Sequence, residues 1–113
     1  MDDPYPDLTA KHRDILAPMF PGWQFERGWV DLVDQTLDEL RRQAPDVVVS
    51  QVKEKMGTLR VYLADKMDPV TREITRKAEE RSASICDQCG EPGATVCAGG
   101  RVCTRCPQHA ANL

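Results

Sequence analysis

Four of the five cysteines fall into two pairs of the same spacing, Cys86-Asp-Gln-Cys89-Gly90 and, thirteen residues on, Cys103-Thr-Arg-Cys106. Two intervening residues allow both sulfurs of a pair to face one ion, and a following glycine lets backbone amides turn toward them. Read together as C-x2-C-x13-C-x2-C, the pairs offer four thiolates. That number fills the tetrahedral shell of Zn²⁺ with no position left for water, which marks a structural rather than a catalytic metal. The expectation is one Zn²⁺ held by Cys86, Cys89, Cys103 and Cys106. The opposing reading is a set of reduced, unliganded thiols. Yet the chain from Cys86 onward is punctuated by Gly90, Pro92, Gly93, Gly99 and Gly100 and has few large apolar side chains, so it has little besides a metal to fold it. Cys97 reads as a small buried residue in a ribbon hairpin. His109, three residues after Cys106, leaves a Cys86, Cys89, Cys103 and His109 set geometrically open.

The second segment with chemistry to offer is Lys53-Glu54-Lys55-Met56-Gly57-Thr58-Leu59-Arg60-Val61-Tyr62. Lys53, Lys55, Arg60 and Tyr62 would share neighbouring strands and form a polar face able to recognise an acidic partner or phosphate. For the lysines the simpler reading is the solvated side of a half-buried sheet. Arg60, a fork-shaped donor in mid-strand, calls for a carboxylate, and Glu73 or Glu80 on the next helix would supply it. The sequence holds no glycine-rich phosphate loop, no His-Glu-x-x-His and no Gly-x-Ser-x-Gly nucleophile turn. His12 and His109 are its only histidines. The expectation is therefore a protein without catalytic residues.

The elements that must position these groups are legible from periodicity. Leu8, Ile15, Leu16 and Met19 predict a helix over 8–19, closed by Pro18 and the Pro21-Gly22 turn. Trp29, Leu32, Val33, Leu37 and Leu40 line one face of a second helix ending near Gln43. Two strands follow, 46–55 and 58–64, joined at Gly57 in a hairpin. Asp68-Pro69 reads as an N-cap and first helical residue, opening a helix to about 84 with Val70, Ile74 and Ala78 as its buried edge. The resulting fold class is α+β: two N-terminal helices, a β-hairpin and a third helix forming a core over 1–85, and a zinc ribbon or knuckle over 86–113 packed on it as one domain. Trp29, Leu32, Val33, Leu37, Leu59, Val61, Leu63 and Ile74 are its expected core.

Composition narrows the partners. Acidic residues number 18 against 15 basic, a formal charge of -3, and residues 1–50 hold ten acidic against five basic side chains. Four zinc thiolates would add two further negative charges. Phosphate-backbone binding draws on clustered Lys and Arg, so the balance points away from nucleic acid and toward a protein partner with a basic surface. No apolar run approaches the ~20 residues of a membrane span. The start Met-Asp-Asp-Pro lacks the basic and apolar regions of a secretory signal, and the cytoplasm is the expected location.

Gly28-Trp29, the Lys53–Tyr62 segment and Ser84-Ile85-Cys86-x-x-Cys89-Gly90 together resemble a family of small bacterial and phage proteins. That family runs Gly-Trp, an amphipathic helix, a Lys-Glu-Lys-Phe-Gly-Gly-Leu-Arg-Phe-Tyr-like hairpin, a helix, Cys-x-x-Cys-Gly and a closing Cys-x-x-His. The similarity covers about residues 22–109. Met56 stands for the aromatic, Thr58 for the second glycine, and Cys106 where the closing His would fall. The family has no established activity. The resemblance implies architecture and zinc, and its phage members hint at an accessory or counter-defence role. Composition and resemblance lead to one expectation, a non-catalytic zinc-stabilised protein-binding module that inhibits or regulates a larger bacterial protein, such as a nucleic-acid-binding defence complex. The alternative is a nucleic-acid-binding zinc ribbon using Lys53, Lys55, Arg60, Arg101 and Arg105. An enzyme using the zinc or Cys97 ranks third.

Overall fold

The computed structural model describes residues 2–65 and 68–111; the outermost residues of the expected 1–85 and 86–113 division, 1 and 112–113, lie outside them. Within these bounds the chain is a mixed α+β fold of four α-helices and two small sheets. In order they are α1 (Pro6–His12), β1 (Trp23–Gln24), α2 (Val30–Gln43), β2 (Val49–Lys55), β3 (Thr58–Leu63), α3 (Pro69–Ser82), β4 (Ala94–Ala98), β5 (Arg101–Arg105) and α4 (Pro107–Ala110). No helix among the described residues is long and apolar enough to cross a membrane.

The first helix is shorter than the expected 8–19. After His12 the chain makes one 3-10 turn, Arg13–Ile15, then extends at Leu16, which bridges to Val49. Ile15 is buried, but Met19, expected on the apolar face, is 90% exposed. A two-residue strand that periodicity did not signal, β1, then runs parallel to β2, placing Trp23 opposite Val52. This brings Trp23 and Phe25 into the core, where their rings meet edge to face at 6.0 Å.

Helix α2 matches its sequence pattern: Leu32, Val33, Leu37 and Leu40 are buried, with Trp29 fully enclosed at its start. Strands β2 and β3 pair antiparallel, with Val52 opposite Val61 and Lys53 opposite Arg60. Met56 (φ 53) and Gly57 (φ 84) form the connection, and positive φ at both positions is the two-residue turn whose twist suits a hairpin. Three consecutive valines suggested a strand from 46, yet pairing begins at Val49, because Ala44 to Val47 form a turn closed by the Val47 N–H to Ala44 carbonyl bond.

Helix α3 opens as expected, with a reciprocal capping box between Asp68 and Thr71. Its buried face differs. Thr71, Thr75, Ala78 and Ser82 face inward, whereas Val70 is 50% exposed and Ile74 only partly buried. Ser82 explains part of this choice: its hydroxyl accepts the outward-pointing N–H of Leu59 at 2.8 Å, satisfying a donor on the sheet's β3 edge. Leu63, the other expected core residue outside the fully buried set, packs against the core from a half-buried position.

Candidate metal centre

The geometry of the cysteines follows from local backbone. Cys86 to Gly90 form a tight turn: the Gly90 N–H bonds the Cys86 carbonyl at 2.9 Å, Gly90 takes a φ of 82, and the Gln88 N–H points at the Cys86 sulfur at 3.4 Å. A turn brings residues three apart onto one side, so Cys86 and Cys89 converge. Cys106 stands at the N-cap of α4, where Pro107 starts the helix, and His109 lies one turn further on. Residues three apart on a helix are also neighbours.

These two short structures bring Cys86, Cys89, Cys106 and His109 together, with one ligand atom from each inside 4.8 Å of all the others. His109 Nδ1 lies 3.2 Å from the Cys106 sulfur and 3.5 Å from that of Cys86, and the Cys89 and Cys106 sulfurs are 3.8 Å apart. Metal–sulfur bonds of about 2.3 Å and metal–nitrogen bonds of about 2.0 Å give tetrahedron edges of about 3.8 Å between sulfurs and about 3.5 Å from sulfur to nitrogen. Donor types and separations both fit a tetrahedrally bound ion.

The structure departs from the expected ligand set at one position. Cys103 sits in mid-strand on β5, opposite Val96 and 3% exposed, outside the cluster. Three residues of extended chain cover ~10 Å and turn successive side chains to opposite faces, so Cys103 and Cys106 do not converge despite their spacing. His109 takes the fourth place. Cys97, expected to be buried, is exposed on β4 opposite Val102.

Backbone donors and crowded sulfurs set the charge of the two thiols of Cys86 and Cys89. Burial opposes ionisation of Cys86, but the backbone N–H groups of Cys106, Gln88 and Cys89 outweigh it and bring its thiol down to about 6. At Cys89 the Glu91 N–H favours the thiolate and is overcome by burial and by the neighbouring Cys86 and Cys106 sulfurs, which push it up. The thiolate is thus favoured at Cys86 and resisted at Cys89.

Glycines dock this cluster on the core. Gly28 donates its N–H to the Asp87 carbonyl at 2.8 Å, and a Cβ there would stand 2.2 Å from the Cys86 carbonyl oxygen. Next to it, the Trp29 indole N–H bonds the Ile85 carbonyl at 2.8 Å. On the other side, Thr104 donates to the Gly57 carbonyl at 2.6 Å, so the β2–β3 turn rests on the β4–β5 hairpin. Between the two contacts Asp87, 3% exposed, accepts from Arg105 Nε at 3.2 Å and Gln88 Nε2 at 3.0 Å. Sequence reasoning missed Thr104, Asp87 and the role of Gly28, because each acts through a tertiary backbone contact without a local pattern. Pro107 after Cys106 was the available signal for a Cys-x-x-His turn.

The polar hairpin residues remain on the sheet. Lys53 and Arg60 are cross-strand partners and Tyr62 is 37% exposed. Arg60 Nε lies 3.6 Å from Glu79 and bonds Thr58 at 3.1 Å; the acids expected for it, Glu73 and Glu80, both close on Arg76 instead.

A second group near enough to hold a metal, His12, Asp34 and Asp38, is already neutralised from within. Arg41 donates to His12 Nδ1 at 2.9 Å, which leaves the Nε2–H to face Asp34 at 2.7 Å, and Lys11 bridges Asp34 and Asp38. This fully buried histidine ties α1 to α2. Comparison of the chain with protein-family models, curated proteins and solved structures finds no match.

Proposed function

We propose that the chain is a non-catalytic protein-binding module whose C-terminal part is stabilised by one Zn²⁺ held by Cys86, Cys89, Cys106 and His109. The observation that supports this reading is the four-donor cluster: three thiol sulfurs and one imidazole nitrogen lie within 4.8 Å of one another, and together they would fill the tetrahedral shell of one ion with no position for a reacting water. Sulfur-rich, nitrogen-completed sets of this kind favour Zn²⁺ over the harder Mg²⁺ and Ca²⁺. The β4–β5 hairpin beside it corresponds to the ribbon.

The protein partner we propose has a basic surface, met by acids such as Asp7 and Asp31, which are exposed and make no ion pair among the described residues. Three thiolates and one Zn²⁺ add a further negative charge. Two cations of the nucleic-acid alternative are already engaged, Arg105 by Asp87 and Arg60 by Glu79, which supports the protein partner. Action in the cytoplasm as an inhibitor or regulator, in a host or its phage, is part of the same proposal. Its test is a titration of the zinc-loaded protein against DNA and RNA at about 150 mM salt, where the electrostatic contribution to nucleic-acid binding is already much reduced. No submicromolar binding is expected. Submicromolar binding weakened by Arg101→Glu would overturn the reading.

A further inference from the structure

Helix α3 carries its most regular apolar pattern, Val70, Ile74 and Ala78, at steps of four, yet the face it turns to the core is occupied by Thr71, Thr75, Ala78 and Ser82. The Val70 and Ile74 side of the stripe instead borders a groove of about 670 Å³ between α2 and α3. Thr36 and Ala78, both nearly fully buried, form its floor. Val70 and Ile74 line its α3 wall, and Glu39 and Gln43 its α2 wall. From Val70 to Arg81 the groove follows twelve residues of chain, ~16 Å of helix, or about three turns. Val70, half exposed, and the open side of the partly buried Ile74 border a trough parallel to the helix, the form that receives another helix.

The charges on the rim choose the sign of that helix. Glu39 is closed on Arg42 and Glu73 on Arg76, so the acids whose fields reach Lys77 are each held by an arginine. Lys77 and Arg81 make no ion pair with any carboxylate among the described residues; the Arg81 guanidinium meets only the neutral Gln35 Oε1, at 3.4 Å. Uncommitted positive charge therefore lies along the α3 side of an apolar trough.

We infer that the α2–α3 groove is a docking site for an amphipathic helix of a partner protein, with apolar residues seated on Val70, Ile74 and Ala78 and acidic residues flanking them toward Lys77 and Arg81. The inference rests on the reading of the chain as a protein-binding module and adds a second surface, opposite in sign to the acidic one near α1.

The probe is a pair of labelled alanine-based helical peptides of roughly 14 residues, about four turns, with leucines at every fourth position and either glutamates or lysines along one flank. Titrated by fluorescence anisotropy into zinc-loaded full-length protein, the glutamate peptide should bind about tenfold or more tighter than the lysine peptide. Val70→Asp, at an exposed second position of the helix where an acid is favourable, should abolish that binding with thermal stability unchanged. Lys77→Glu together with Arg81→Glu should invert the preference. Absence of binding, binding without preference for glutamate, or binding indifferent to Val70→Asp would each overturn the docking site. So would a dimer in sedimentation that Val70→Asp dissolves, which would make a second copy the occupant, or displacement of the peptide by dodecanoate. None of these results bears on zinc content or on the nucleic-acid titration, so failure of the groove is distinguishable from failure of the module reading.

Discussion

Gly28→Ala puts the docking of the metal cluster to a test in which two well-understood effects have opposite signs. Gly28 has a φ outside the left-handed region, so alanine suits its backbone, and loss of chain entropy in the unfolded state alone would stabilise the protein by about 0.4–1 kcal/mol. Against this, the new methyl carbon would lie 2.2 Å from the Cys86 carbonyl oxygen and 2.5 Å from the Asp87 carbonyl carbon. Both are backbone atoms of the Cys86–Gly90 turn, so the turn itself must move, by about 1 Å to reach ordinary contact. Forced displacement in a packed site costs about 1–3 kcal/mol. Weakening the Gly28 N–H to Asp87 bond adds about 1 kcal/mol. The net expectation is destabilisation of about 1–4 kcal/mol, measured by urea unfolding with excess zinc. Zinc affinity, read by competition with a chromophoric chelator, should fall as well, because the displaced turn carries two of the proposed ligands, Cys86 and Cys89. Gly99→Ala is the control: at φ 57 with nothing within 4 Å it should cost about 1 kcal/mol from backbone strain and leave zinc affinity unchanged. If Gly28→Ala were as stable as the parent, or more so, the turn would not be seated on Gly28 as described.

Further outcomes follow from the same contacts. Purified protein should carry about one Zn²⁺ per chain. Metal analysis should show Cys86→Ser, Cys106→Ser or His109→Ala losing it and Cys103→Ser keeping it; the reverse for Cys103 and His109 would restore the four-cysteine set. Thr104→Val should cost about 1–3 kcal/mol in chemical denaturation, since it strips the buried Gly57 carbonyl of its 2.6 Å donor. Burial of Asp34 opposes its ionisation but is outweighed by His12 and Lys11, which lower its carboxyl below the ordinary aspartate range. A depressed folded value gives stability that is present above the unfolded value, near 4, and lost as pH falls through the folded one. Asp34→Asn should therefore flatten the acid side of the stability profile below about pH 4, and an unchanged profile would refute the role given to that pair.

Helix α2 and strand β3 were legible because each carries one uninterrupted period, 3.6 or 2, against a single buried face, whereas β2 buries Val49 and Val52 three apart across an irregularity in its register with β3. The failures lie where that condition lapses. Ile15 and Leu16 fit a helical step from Leu8, but the chain leaves the helix at His12, whose ring is pinned between Arg41 and Asp34 on α2. Strand β1 is too short to show any period, and it exists because β2 offers a parallel edge to Trp23 and Gln24. On α3 the stripe of Val70 and Ile74 was read as buried because apolar spacing alone carries no information about which neighbour receives it. The sheet edge needed a hydroxyl at Ser82 to accept the Leu59 N–H, and that requirement helps to turn the threonine and serine face inward.

The metal cluster separates two kinds of information that a cysteine pattern mixes together. Composition and count sufficed to indicate a site, since the pattern at Cys86 and Cys89 is tied to a glycine that only a turn requires. Ligand identity depended on something else: the same spacing, Cys-x-x-Cys, has opposite consequences in a turn and in a strand. At 86–89 it converges. At 103–106 it diverges, because Val102 and Cys103 lie within a paired strand whose register with Cys97 and Val96 is set by the Gly99-Gly100 turn, both glycines having positive φ. Those two glycines are visible in the sequence and predict a two-residue hairpin loop. Carried through, that hairpin places Cys103 inside a strand and commits the chain to leave it near Pro107, a residue suited to the first position of a helix. A helix starting there sets His109 one turn from Cys106. The placement of His109 rather than Cys103 beside Cys106 was thus recoverable from Gly99, Gly100 and Pro107, provided the backbone was settled before the candidate donors were counted.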